Sequence, residues 1–150
     1  MRIAFAIMFW GLLPFAQGSS NTVTVVGFQE GKRTEFVSEG RDHIVALSVE
    51  LLRTASYEAD GSVATEDRFK QAEQASNLRL KFTPPRSIAF QFSTTGPATE
   101  NTVEITELVI PISTTRFPDY VFVRERGKIR AFAKYHPRPA QALQDALKNK

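Results

Sequence analysis

From Leu78 onward the apolar residues of this chain recur at every second position, a period that a helix cannot bury on one side. Leu78, Leu80 and Phe82 alternate with Arg79 and Lys81; after Pro84-Pro85, Ile88, Phe90 and Phe92 alternate with Ala89 and Gln91. Side chains of a strand point to opposite faces in turn, so each run reads as a half-buried strand, with the two prolines separating them. A longer extended run covers Thr102 to Ile112. Val103 and Ile105 share one parity and Leu108, Ile110 and Ile112 the other, so keeping all five on one face requires a bulge near Thr106-Glu107. Pro111 cannot donate to a ladder, which puts the end of this strand at an edge.

Tyr120 to Glu125 and Lys128 to Tyr135 read as a hairpin turning through Arg126-Gly127. Its register pairs Glu125 with Lys128, Val123 with Arg130, Val121 with Phe132 and Asp119 with Lys134 on one face. On the other face it pairs Arg124 with Ile129, Phe122 with Ala131 and Tyr120 with Ala133. The string Arg124, Arg126, Lys128, Arg130, Lys134, His136 and Arg138 is thereby expected to form a solvated sheet face with cross-strand ion pairs, and not a polyanion site. Val121 and Phe132 fall on that wet face, where they either pack under Ser113 to Pro118 or mark a contact surface.

Before Leu78 the periods are mixed. Thr22 to Phe28 and Arg33 to Ser38 are extended runs around Glu30-Gly31-Lys32 and predict a hairpin. Gly31-Lys32 and Phe36 share a spacing with Gly127-Lys128 and Phe132, which common turn chemistry explains without a duplication. Ile44, Leu47, Leu51 and Ala55, widened by Val45 and Leu52, form the stripe of an amphipathic helix over Asp42 to Ala55. Residues 56 to 64 read as a polar turn. Thr65 caps a short helix with Glu66 and Asp67 in its first turn and Phe69, Ala72 and Ala75 as its buried side. Pro137 and Pro139 open a C-terminal helix with Ala140, Leu143, Ala146 and Leu147 on its apolar side. The order implies an α+β fold: an antiparallel sheet of about five to seven strands with two or three helices packed mainly on one face.

The first residues point to an address. Arg2 precedes an apolar run from Ile3 to Ala16, followed by Gln17-Gly18-Ser19-Ser20. Fourteen apolar residues fall short of the roughly 17 a bilayer span needs, and Ala16 and Gly18 suit a signal-peptidase cut after Gly18. Residues 1–18 are therefore read as a secretory signal peptide and residues 19–150 as a single domain. The chain has no cysteine, so this exported domain is held by its core and not by disulfides, which favours a bacterial periplasm or exterior. Most of the nine phenylalanines beyond the signal fit that core. An excess of two basic over acidic residues after cleavage gives no argument for nucleic acid, and no other stretch is apolar enough for a membrane span.

Chemistry-bearing patterns are sparse. Of two histidines, His43 sits at a helix start beside Asp42, and helix neighbours point about 100° apart and form no dyad. No Gly-x-Ser-x-Gly elbow, paired-histidine zinc spacing, Walker loop or dinucleotide fingerprint occurs, so no catalytic residue, metal ligand or cofactor is assigned. A carboxylate pair drawn from Glu104, Glu107, Asp119 and Glu125 would suit a small hydrolase if two of them converge and one has a raised pKa. Phenylalanines lining a cavity between sheet and helices would suit a carrier of a small apolar ligand. The stiff, proline-flanked segments Thr83-Pro84-Pro85-Arg86 and Arg116-Phe117-Pro118-Asp119, with Tyr135-His136 at a strand end, make Arg86, Arg116, Phe117, Tyr135 and His136 the candidate recognition residues. The leading expectation is an exported, non-enzymatic binding module whose partner is a protein or envelope component. Intact-mass measurement of the protein from an export-competent host is expected to find a chain beginning at Ser19; a chain retaining residues 1–18 would contradict the signal reading.

Overall fold

The alternating runs assemble into one seven-stranded antiparallel sheet in the order β2-β1-β4-β5-β6-β7-β3. The computed structural model describes residues 21–29, 32–36, 40–74, 77–111, 120–133 and 135–148. In chain order these hold β1 (Thr22–Gln29), β2 (Lys32–Glu35), α1 (Arg41–Arg53), β3 (Tyr57–Glu58), α2 (Glu66–Gln74), β4 (Asn77–Phe92), β5 (Thr99–Pro111), β6 (Tyr120–Glu125), β7 (Lys128–Ala133) and α3 (Pro137–Lys148). The α+β class and antiparallel sheet are those the periodicities imply. The signal segment, Ala75, Ile112, the Ser113 to Pro118 segment and the Asp119–Lys134 pair lie outside the described residues.

The two runs flanking Pro84-Pro85 are one strand and not two. β4 pairs with β1 and the far half of β5 up to Lys81, shifts register between Lys81 and Arg86, and then pairs Arg86 through Phe92 with Ile105 through Thr99. The Thr83–Pro84 peptide is cis. The shift lies opposite Ile105 and Glu107, where the parity of β5 changes. Val103, Ile105, Leu108 and Ile110 accordingly all join one apolar cluster with Leu78, Leu80, Phe82, Ile88, Phe90 and Phe92. Pro111 lies beyond the β6 pairing, which ends at Val109, so its missing N–H costs no bond on that side.

α1 and α3 cover this face. Ile44, Val45, Val49, Leu51 and Leu52 of α1 and Leu143 of α3 enter the cluster. The buried Ser48 hydroxyl donates to the Ile44 carbonyl at 2.7 Å, so it brings no unsatisfied group inside. The Thr54 hydroxyl ties the two helices. It donates to the Leu51 carbonyl at 2.8 Å and accepts from the His136 N–H at 3.0 Å, joining the end of α1 to the start of α3.

α2 packs on the opposite face. Thr65 accepts from the Arg68 N–H at 3.2 Å, as its capping role requires, and Phe69 and Ala72 are buried against Val109, Phe122 and Ala131. The hairpin register is the expected one from Tyr120–Ala133 to Glu125–Lys128, with Arg126 and Gly127 both at positive φ in its turn. The expectation that one face of this hairpin is wet needs correction. Val121, Val123 and Phe132 on one side and Phe122 and Ala131 on the other are all fully buried, because helices occupy both sides of the sheet.

The polar stretch after α1 also holds the shortest strand. β3 pairs Tyr57 and Glu58 with Ala133 and Phe132 at the outer edge of β7. It also reaches the far end of β4: Ser93 N–H donates to the Ser56 carbonyl at 3.0 Å, and Glu58 N–H donates to the Ser93 carbonyl at 2.8 Å. The β4–β5 hairpin therefore curls until its end meets the strand at the opposite edge. Inside the curl Phe90, Phe92 and Phe132 form a triangle, with ring centroids 4.9, 5.0 and 5.1 Å apart and two of the contacts edge-on. Truncating Phe132 to Ala removes the ring all others meet and is expected to cost about 3–5 kcal/mol in urea unfolding. A loss under about 1 kcal/mol would mean the curl is not packed as described.

Candidate functional site

Pairing with Val123 turns Arg130 of β7 toward the curl and not toward solvent. Its guanidinium lies 5.2 Å from the Phe92 ring centre and 5.1 Å from that of Phe132, a cation held against two aromatic rings. Its edge is met by carboxylates. Nε and Nη2 donate to the two Glu58 oxygens at 2.6 and 2.7 Å, and Nη1 donates to Glu125 Oε2 at 2.7 Å. The Glu58 hydrogen bonds raise the Arg130 pKa further, outweighing the opposing effect of burial. Burial pushes the Glu125 carboxyl up, but the Glu104 N–H, the Arg130 guanidinium and the Arg126 charge together bring it below its ordinary value.

Beside this pair the sheet opens into a cleft of about 390 Å³. Phe92, Glu58 and Arg130 form its inner wall; the β4–β5 loop from Thr94 to Pro97 and Thr99, Asn101 and Thr102 of β5 form the rest. The loop is braced locally, since the Ser93 hydroxyl accepts from the Gly96 N–H at 3.0 Å and donates to the Gly96 carbonyl. Asn101 Nδ2 donates to the Thr99 carbonyl at 3.0 Å and to its hydroxyl at 3.1 Å, fixing the rim. The volume falls within the range of small-ligand clefts.

The pleat sends Arg124 to the other face. It forks onto Glu66 at 2.9 and 3.0 Å, reaches Glu107 at 3.6 Å, and covers the Phe69 ring at 4.6 Å, clamping the start of α2 to the sheet. Arg79 bonds Glu73 and Glu107 beside it. Arg126 pairs with Glu104 at 2.7 Å. The basic string of the sequence is thus divided between two faces, and its arginines on the hairpin are each matched by acids.

Of the recognition residues expected from the sequence, the described ones fall into two places, Arg86 in one and Tyr135 with His136 in the other. Arg86 is exposed on β4 beyond the register shift, 6.0 Å from the Phe82 ring centre. Arg116 and Phe117 lie outside the described residues. Tyr135 is half-buried and packs against the core beside Leu51, Ile110 and Leu143. His136 is exposed and caps α3, its Nδ1 accepting from the Arg138 N–H at 3.3 Å. In strand order β5 and β6 separate Arg86 from the Tyr135–His136 junction. Glu58, Phe92 and Arg130 escaped selection because Glu58 sat in an apparent turn and the other two in regular alternation.

Glu104, Glu107 and Glu125 each bind an arginine, and the lowered Glu125 carboxyl is the reverse of what a general acid requires. Between α1, α3 and β5 a cavity of about 20 Å³ has room for about one water and none for a carried ligand. Among the described residues no group of three His, Asp or Glu side chains is placed to hold a metal, and no helix is long and apolar enough to cross a membrane.

Replacing Arg130 by Met leaves Glu58 and Glu125 half-buried without their cation. The expected loss at neutral pH is about 2–3 kcal/mol, below the value for a fully buried pair because solvent screens part of it. A carboxyl lowered in the folded state stabilises above its ordinary pKa of 4.5 and loses that contribution as pH falls through the folded value. Without Arg130 that contribution is absent, so the deficit of the variant is expected to be largest near neutral pH and to shrink as pH falls through the carboxylate range, where the unaltered protein loses the pair as well. Urea unfolding between neutral and acid pH checks both; superimposable profiles would contradict the pairing.

No family model, curated protein or solved structure matches the chain.

Proposed function

We propose that the chain is an exported, non-enzymatic binding module that engages a protein or an envelope component at the cleft between the β4–β5 loop, β3 and β7. The reading of residues 1–18 as a signal peptide supplies the address. The observation that carries the rest is the cleft: a concavity of about 390 Å³ at the loop end of the sheet, with its polar wall fixed by the Arg130–Glu58 fork. Such a wall is set before a ligand arrives, so little side-chain freedom is lost on binding. The neighbouring acids are neutralised by arginines, an arrangement suited to recognition and not to proton transfer. The partner meets the molecule through the loop that forms the outer wall.

A photoreactive amino acid in place of Thr95 tests this in cells that export the chain. Thr95 is exposed and lines the cleft, whereas Lys32 is exposed on β2 at the other end of the strand order. The expected result is a discrete adduct from position 95 that position 32 does not give. Equal labelling from both positions, or none from either, would remove the cleft as the contact site.

A further inference from the structure

β5 has two differently occupied edges. Its pairing with β4 runs on from Ile105 to Thr99, but its pairing with β6 covers Glu107 to Val109 only. Among the described residues no strand pairs with the outer edge of β5 between Thr99 and Ile105. At Glu104 a side chain takes the place of a strand: the Glu104 N–H donates to Glu125 Oε1 at 2.9 Å. Main-chain groups of an antiparallel strand alternate between its two edges, so Thr102 and Glu100 direct their N–H and C=O the same way as Glu104. Thr102 lines the cleft although its side chain belongs to the sheet face opposite the buried Val103.

We infer that the ligand of this cleft is an extended peptide segment that adds as a short strand to the outer edge of β5 at Glu100 and Thr102; the inference rests on the binding-module reading. A row of unpaired N–H and C=O groups has another strand as its natural complement. The edge carries no lysine or proline from Thr99 to Ile105, whereas β2 at the end of the sheet shows Lys32 and Arg33. Lysine and proline are the residues with which sheet edges are most often guarded, and the charges on this edge are Glu100 and Glu104, the second of them paired with Arg126. The volume of the cleft suits a few residues. Side chains of the guest that point inward rest on Phe92 between Asn101 and the Arg130–Glu58 fork. Arg130 gives three N–H bonds to Glu58 and Glu125, so its charge is compensated and the fork favours short neutral polar side chains such as Ser, Thr or Asn. Binding of this kind depends little on salt.

The test uses the whole exported protein and a displayed library of random decapeptides, with selected peptides titrated calorimetrically. N-methylation of successive peptide amides is expected to alternate, every second methyl weakening binding about tenfold or more and the others leaving it nearly unchanged, because only alternate amides join the ladder. Thr102→Pro is expected to weaken binding about tenfold or more while melting near the wild type, since the Thr102 N–H faces away from β4. If that variant fails to fold, the N-methyl series on the unaltered protein decides alone. Indifference to alternate N-methylation, or a library that yields no peptide competing at the cleft, overturns the proposal. If the Thr95 photoadduct survives that failure, the peptide class falls and the binding-module reading stands; if the adduct is absent too, both fall.

Discussion

A single guanidinium joins parts of the chain that are distant in sequence. Arg130 comes from β7, Glu58 from β3, Glu125 from the end of β6 and Phe92 from the end of β4, and all four meet at one cation. Arginine suits the position because its flat faces lie against aromatic rings while its edge donates several bonds at fixed angles. A lysine would satisfy one carboxylate at most with comparable geometry. The pairing of Ser93 with Ser56 and Glu58 depends on this meeting, since it brings the end of the curled hairpin to the same strand that supplies Glu58. The cleft is the space left beside that junction.

The two faces of the β6–β7 hairpin repeat one device. Arg124 covers Phe69 and forks onto Glu66 of α2; Arg130 covers Phe92 and Phe132 and forks onto Glu58 of β3. In each case the aromatic surface shields the cation from water and an acid from another element completes it. The hairpin thereby holds α2 on one side and β3 on the other, and sequence neighbours that look like a basic patch work as two separate clamps. This leaves the arginines committed to the fold and supports recognition by shape and main chain over recognition by charge.

Local periodicity carried most of the fold. The helices, the hairpin register from Tyr120 to Ala133 and the parity change on β5 were legible because each depends on residues a few positions apart. What was not legible depends on long-range pairing. Tyr57 and Glu58 form a strand only because β7 and Ser93 flank them, and two residues carry no period. Pro84-Pro85 looked like an end to the strand, but proline breaks a ladder only where its N–H is needed, and here the register shifts around it. The buried state of Val121 and Phe132 was hidden for a related reason: alternation says which residues share a face, not how many faces are covered. The cleft residues were missed because Arg130, Glu58 and Phe92 become a site only when the curl brings them together.

Amide hydrogen exchange at Ser93 and Glu58 measures that curl most directly. Both N–H groups are bonded across the junction, Ser93 to the Ser56 carbonyl and Glu58 to the Ser93 carbonyl. If the junction closes the cleft, the two amides exchange as slowly as neighbouring amides of the β6–β7 ladder, and replacing Arg130 by Met speeds both together. If both exchange at the rate of an open loop in the unaltered protein, the hairpin end is not joined to β3, and the cleft with its strand-accepting edge does not exist as a formed site.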